Sequence, residues 1–186
     1  LGSVSSPLFR TFAMRRLIVT GPNGAGKSHL AARLAAIRPD VPLISFDGLK
    51  LSQGWKLRPR SEVDADLLRI VQQDAWILEG GPGLLSHAIS CADCVIWLDP
   101  PVWLRAWRLA VRPIRNRGKS RPELPEGNVD WPLEQYRFAL RSLRNGTKFR
   151  DSISRQLAAT SGLRIWRVRY AAHMTTAIEE WRNAGR

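Results

Sequence analysis

Only two cysteines, Cys91 and Cys94, and three histidines occur in this chain of 186 residues. That scarcity leaves little room for protein-held metal centres. A zinc site takes about four ligands, the "CADC" spacing has no second cysteine pair to complete it, and His29, His87 and His173 are scattered. Both thiols are expected to be small buried side chains. Also missing is any apolar run of the ~18 residues that a membrane span needs. The opening "LGSVSSPLFRTFA" lacks the long apolar core of a secretory signal. Residues 1–14 are therefore expected to form an unstructured lead-in and residues 15–186 a single domain, located in the cytoplasm with no membrane partner. Acidic side chains are scarce too: 16 against 29 Lys and Arg, a formal net charge of +13. An excess of this sign suits polyanions or polyphosphate substrates, although an arginine-rich composition produces it without any partner. The arginines are nevertheless unevenly spread, and Arg105, Arg108, Arg112, Arg115, Arg117, Lys119 and Arg121 form a run with no acid among them.

Against these absences stands one dense motif, "LIVTGPNGAGKSHL" from Leu17 to Leu30. Its spacing G-x-x-x-x-G-K-[ST] is the Walker A pattern, or P-loop. Gly21, Gly24 and Gly26 permit backbone dihedrals that a side chain would forbid, so successive N–H groups can converge on a phosphate. Lys27 is placed to reach the β- and γ-phosphates and Ser28 to ligate Mg²⁺, at the positive end of the helix that follows. The expected nucleotide-binding set is Gly21, Pro22, Asn23, Gly24, Ala25, Gly26, Lys27, Ser28 and His29, with ATP and Mg²⁺ as cofactors. "GPNGAGKS" also resembles the loop of ABC-transporter ATPases, and "LSQGW" at Leu51–Trp55 echoes their signature. The order rules that out: only 23 residues separate Lys27 from Leu51, and no hydrophobic-Asp-Glu sequence follows.

Five short apolar segments, "RRLIVT", "VPLISFD", "AWILEGG", "CVIWLDPP" and "LRIWRVR", read as strands separated by helical patterns. Ser61 is a plausible cap for the helix in "SEVDADLLRIVQQ". Pro101 is expected to begin the helix "PVWLRAWRLAVRPI", and Pro113 to strain or stop it. "SRPELPEGNVDWP" reads as loop or lid. Alternation of this kind predicts an α/β fold, a three-layer α/β/α arrangement around a parallel five-stranded sheet. Ligands of such sheets lie beyond the carboxyl ends of the strands. The polar residues expected there are the P-loop, Asp47, Glu79 and Asp99. Asp47 either turns its loop or hydrogen-bonds an acceptor. Glu79 either holds a Mg²⁺-bound water or polarises an acceptor, or is a solvated strand end. Asp99 is an acid at the end of the most apolar strand, placed to reach Mg²⁺ through water, but Pro100 and Pro101 follow it.

From Arg16 onward, the order P-loop, "ISFDGL", Gly-Trp, "DAWILEGG", "ADCVIWLDPPVWLRAWRLAVRPIRNRGKSRPELPEG" and a late "RIWRV" resembles the bacterial topology modulation proteins of FlaR type, themselves similar to adenylate kinase. The family's "DGNY" stands here as Glu79-Gly80-Gly81-Pro82. The resemblance implies a nucleoside-monophosphate-kinase-like fold with a small lid at about 113–129. It implies that Arg117 and Arg121 close onto the transferring phosphoryl group, while Arg112 and Arg115 hold the nucleotide. The expected activity is transfer of the ATP γ-phosphate to a small acceptor, a nucleotide or nucleoside. Nucleic acid is possible as a partner without being required. Two alternatives remain at this point: an ATP-binding, DNA-associated regulator with little turnover, and a kinase acting on a nucleic-acid end.

Overall fold

The computed structural model describes residues 14–116, 128 and 132–184. Five strands, β1 (Arg16–Thr20), β2 (Leu43–Ser45), β3 (Trp76–Gly80), β4 (Cys94–Leu98) and β5 (Arg164–Val168), form one sheet in the order β2-β3-β1-β4-β5. Every pairing is parallel. Among the described residues eight α-helices connect and cover them: α1 (Lys27–Ile37), α2 (Phe46–Lys50), α3 (Arg60–Val71), α4 (Pro82–Ala88), α5 (Val102–Arg115), α6 (Pro132–Arg144), α7 (Gly146–Ala158) and α8 (Ala171–Asn183).

Parallel strands covered on both faces cannot keep one side polar, and β1 shows the outcome: Leu17, Ile18, Val19 and Thr20 are all fully buried. Their side chains alternate between two cores. Leu17 and Val19 join Ile77 and Ile96 beneath α1 and α8, where Leu30, Leu34, Ile178 and Trp181 close the layer. Ile18 joins Leu78, Val95 and Trp97 on the other face, against Val63 and Leu67 of α3, Leu84 and Leu85 of α4, and Ile153 and Leu157 of α7. Three layers result, as the alternating pattern predicts.

Several boundaries differ from the sequence expectation, each for a local reason. β2 stops at Ser45 because the Ser45 hydroxyl accepts from the Gly48 amide at 3.2 Å and caps α2, so Asp47 sits in a helical first turn and not at a strand end. Helix α3 starts at Arg60 behind Pro59, which leaves Ser61 inside the first turn and without a capping role. Pro101 is the residue before α5, which then runs through Pro113 to Arg115. Helices α4 and α7 had no sequence expectation. The expected lead-in falls almost wholly outside the described residues. Of the expected lid, 113–115 belong to α5 and Asn128 is described, whereas Arg117 and Arg121 lie outside the described residues.

Candidate active site

The loop between β1 and α1 is shaped by three glycines with positive φ, Gly21 (151°), Gly24 (78°) and Gly26 (97°). Space and dihedral both demand glycine at two of them. A Cβ on Gly21 would lie 2.4 Å from the Leu98 carbonyl oxygen, and one on Gly24 would lie 2.9 Å from Leu109 Cγ. Gly26 precedes α1 in a left-handed conformation without any side-chain cap, and no acid stands in the first turn. The first amides of α1 thus remain donors at the positive end of the helix dipole.

Lys27 is only 7 % exposed. Its Nζ lies 3.5 Å from the Pro22 carbonyl and 4.0 Å from Glu79 Oε1. Burial pulls its pKa below the ordinary lysine value, Glu79 and then Asp47 act to raise it, and Arg112 and Arg105 act to lower it further. Four of the expected residues, Lys27, Glu79, Asp47 and Arg112, therefore share one electrostatic site. Glu79 is 4 % exposed at the end of β3 and accepts from the Ser45 hydroxyl at 3.5 Å. Asp47 is half-exposed and pairs with Lys50 at 2.7 Å. Ser28 is partly buried beside Lys27, and His29 is exposed on the same helical turn.

Helix α5 fixes the far side of the loop from behind. Arg105, buried to 2 %, donates from Nε to the Asn23 carbonyl at 3.1 Å, and Arg108 donates from Nη1 to the Ala25 carbonyl at 2.9 Å. Two arginines of the run are thus tied to loop carbonyls. Arg112 and Arg115 follow about one and two turns further on and line a shallow concavity with Trp107, Arg108, Val111 and Asn116.

Asp99, just past the end of β4, is the hub of an arginine cluster. Its side chain is 1 % exposed, and both oxygens are held by arginines: Arg150 of α7 at 2.7 Å on Oδ1, Arg167 of β5 at 2.5 Å and Arg169 at 3.4 Å on Oδ2. Among the described residues no group of three or more His, Cys, Asp or Glu is arranged to hold a metal ion. Cys94 is buried and burial pushes its thiol pKa far up, while Cys91 is partly exposed. Among the described residues no helix is long and apolar enough to cross a membrane.

Ser45, Asn128, Arg150, Arg167 and Arg169 were not anticipated. Asn128 is fully buried, accepts from the Trp55 amide at 2.5 Å and donates to the Ser52 carbonyl at 3.1 Å, which anchors the chain before α6 to the loop after α2. The spacing of Arg167 and Arg169, two residues apart at and just past the end of β5, was the available signal for the Asp99 cluster. Nothing local pointed to Arg150 or Asn128, whose partners lie 51 residues and more than 70 residues away in sequence.

No protein-family model matches the chain, and no curated protein matches it. Solved structures do resemble it. A shikimate kinase from Bacteroides thetaiotaomicron superposes with a TM-score of 0.50 at 16% identity, covering 91% of this chain and 97% of its own. A shikimate kinase from Acinetobacter baumannii in complex with shikimate gives 0.50 at 20% identity, covering 89% and 90%. A gluconokinase from Sinorhizobium meliloti 1021 gives 0.48 at 14% identity, covering 91% and 90%, too weak a likeness to carry weight. At these identities the likeness is one of fold: this chain has the five-stranded parallel P-loop architecture that those shikimate kinases have.

Proposed function

We propose that this chain is a P-loop kinase that transfers the γ-phosphoryl group of ATP to a small acceptor. The observation that carries the reading is the buried Lys27 ammonium at the mouth of a glycine-shaped loop, facing Glu79 and within the field of Asp47 and Arg112. The uncapped amides of α1, the loop amides and Lys27 would hold the phosphates. Ser28 would reach Mg²⁺, with Glu79 acting through a bound water. Mg²⁺ usually keeps several waters and takes few protein ligands, a need that Ser28 and Glu79 suit. When bound there, Mg²⁺ would supply positive charge against the charge that grows on the phosphoryl oxygens.

The acceptor would lie between Asp47, the 55–60 segment and Glu79, with Asp47 taking its hydroxyl proton. Arg112 and Arg115 would steady the phosphates, and Arg117 and Arg121 would complete the set on closure. Asp99 we assign to holding arginines, since both its oxygens already accept from them. The finer family assignment, FlaR-type topology modulation proteins, rests on the quoted sequence resemblance. The shikimate kinases act on shikimate, and a phosphorylatable hydroxyl compound is the corresponding class of acceptor here. Acceptor-dependent ADP release, screened over nucleosides, nucleotides and hydroxy acids, tests the reading together with Lys27→Ala. The variant is expected to lose transfer and to bind ATP more weakly while still folding. Unchanged ATP affinity by calorimetry, or ATP use indifferent to every acceptor, would overturn it.

A further inference from the structure

Helix α5 is apolar on two opposite sides, and the kinase reading uses only one of them. Arg105, Leu109 and Pro113 face the interior. On the opposite side Trp103 is 71% exposed, Trp107 66% and Ile114 70%. Trp103 and Trp107 are one turn apart, about 5.4 Å of helical rise, and together with Ala106 and Ala110 they line an open slot. The alanine methyls leave the two indoles standing clear of the helix. Trp107 is also a wall of the adjoining concavity that Arg108, Arg112 and Arg115 line. Along α5 there is no acid, and the exposed side of α6, which packs on α5, adds Arg137, Arg141 and Arg144 against the single acid Glu134.

We propose that this face of α5 binds single-stranded nucleic acid, bases stacking on Trp103 and Trp107 and phosphates passing along Arg108, Arg112 and Arg115. Charge decides among occupants. A second copy would set one arginine-bearing face against another, in a chain of net charge +13, so the partner is anionic. The alternation of exposed flat rings with guanidinium groups then matches a strand whose bases are free to stack, each base on an aromatic ring contributing without regard to sequence. In a duplex the base faces are already stacked on each other and unavailable to the indoles. The kinase reading assigns Arg112 and Arg115 to ATP phosphates and gives the two tryptophans no role, so the tryptophan variants test the strand site separately from it.

Fluorescence anisotropy with a labelled thymidine 12-mer, and separately with a mixed-sequence duplex, tests it. Trp103→Ala and Trp107→Ala are each expected to weaken 12-mer binding about tenfold. Trp107→Phe should retain most of the affinity, and thermal unfolding and ATP binding by calorimetry should be unchanged in all three. Between 50 and 200 mM salt, three phosphate contacts on a single strand should cost about 20-fold in affinity. Full 12-mer affinity in the tryptophan variants, or a preference for the duplex, would overturn the proposal. So would failure to bind the 12-mer while anionic phospholipid vesicles or an acidic peptide bind, or a self-association measured by sedimentation that the tryptophan variants abolish.

Discussion

Lys27 is a cation kept from water, and its partners disagree about it. Desolvation and the nearby Arg112 and Arg105 favour the neutral amine, whereas Glu79 and Asp47 favour the ammonium, and the balance falls below the ordinary lysine pKa. The charged form is therefore penalised in the folded protein at pH below its lowered pKa. That penalty fades as pH rises through the window up to the ordinary value, where the unfolded chain also loses its proton. Phosphate oxygens at Lys27 would add negative charge and raise the pKa again. ATP binding should consequently take up a proton at alkaline pH, below the ordinary lysine value, and lose affinity as pH rises through that window. Calorimetry in buffers of different ionisation heat measures the uptake, and a net release of protons would contradict the assignment. The sequence showed Lys27 directly, because the motif fixes its place by local spacing. It could not show the pairing with Glu79, which stands on a strand more than 50 residues away.

Asp99 illustrates what an element-level reading misses. Seen as the end of β4 it looks like a metal-directed acid; in the fold it also joins three elements, receiving Arg150 from α7 and Arg167 from β5 as well as Arg169 just beyond that strand. Arg167 is further fixed by lying 4.3 Å over the Trp97 ring. Removing a partner from a pair buried on both sides costs about 3–5 kcal/mol. These arginines are 37–48% exposed and stay partly hydrated. Asp99→Asn is therefore expected to cost less, about 2 kcal/mol, and to lower the melting temperature by about 4–8 °C. If Asp99 serves arginines and not the ion, the Mg²⁺ dependence of ATP binding should be the same in the variant, and titration of ATP affinity against Mg²⁺ checks this. The same kind of distance hid the turn at Ser45. A hydroxyl that accepts the Gly48 amide converts an extended run into α2, and apolar periodicity carries no trace of that choice.

At the scale of the molecule, strand order does what no single motif can. β1 lies at the centre of the sheet with β3 and β4 as neighbours, so the P-loop, Glu79 and Asp99 leave the sheet at the same edge, and β2 brings Ser45 and Asp47 to that edge from the outside. The alternation of apolar runs and helical patterns made the layers legible, because burial on both faces enforces it along the whole chain. Pairings between distant segments, such as Asn128 with Trp55, were not legible, since they depend on where the folded elements meet. The net charge acts at this scale also. A small acceptor reacting inside a partly closed site should feel salt only weakly, and turnover should change about twofold or less between 50 and 200 mM; a much steeper fall in steady-state rate would indicate a polyanionic acceptor. Among the described residues Trp76, Trp97 and Trp181 are buried and Trp55 and Trp166 partly buried, while Trp103 and Trp107 stand in solvent. The described tryptophans thus include a set emitting to the blue and shielded from dissolved quenchers and a set emitting to the red and open to them. A soluble quencher reads the state of the α5 face without any attached dye, while the shielded indoles report the integrity of both cores in the same cuvette.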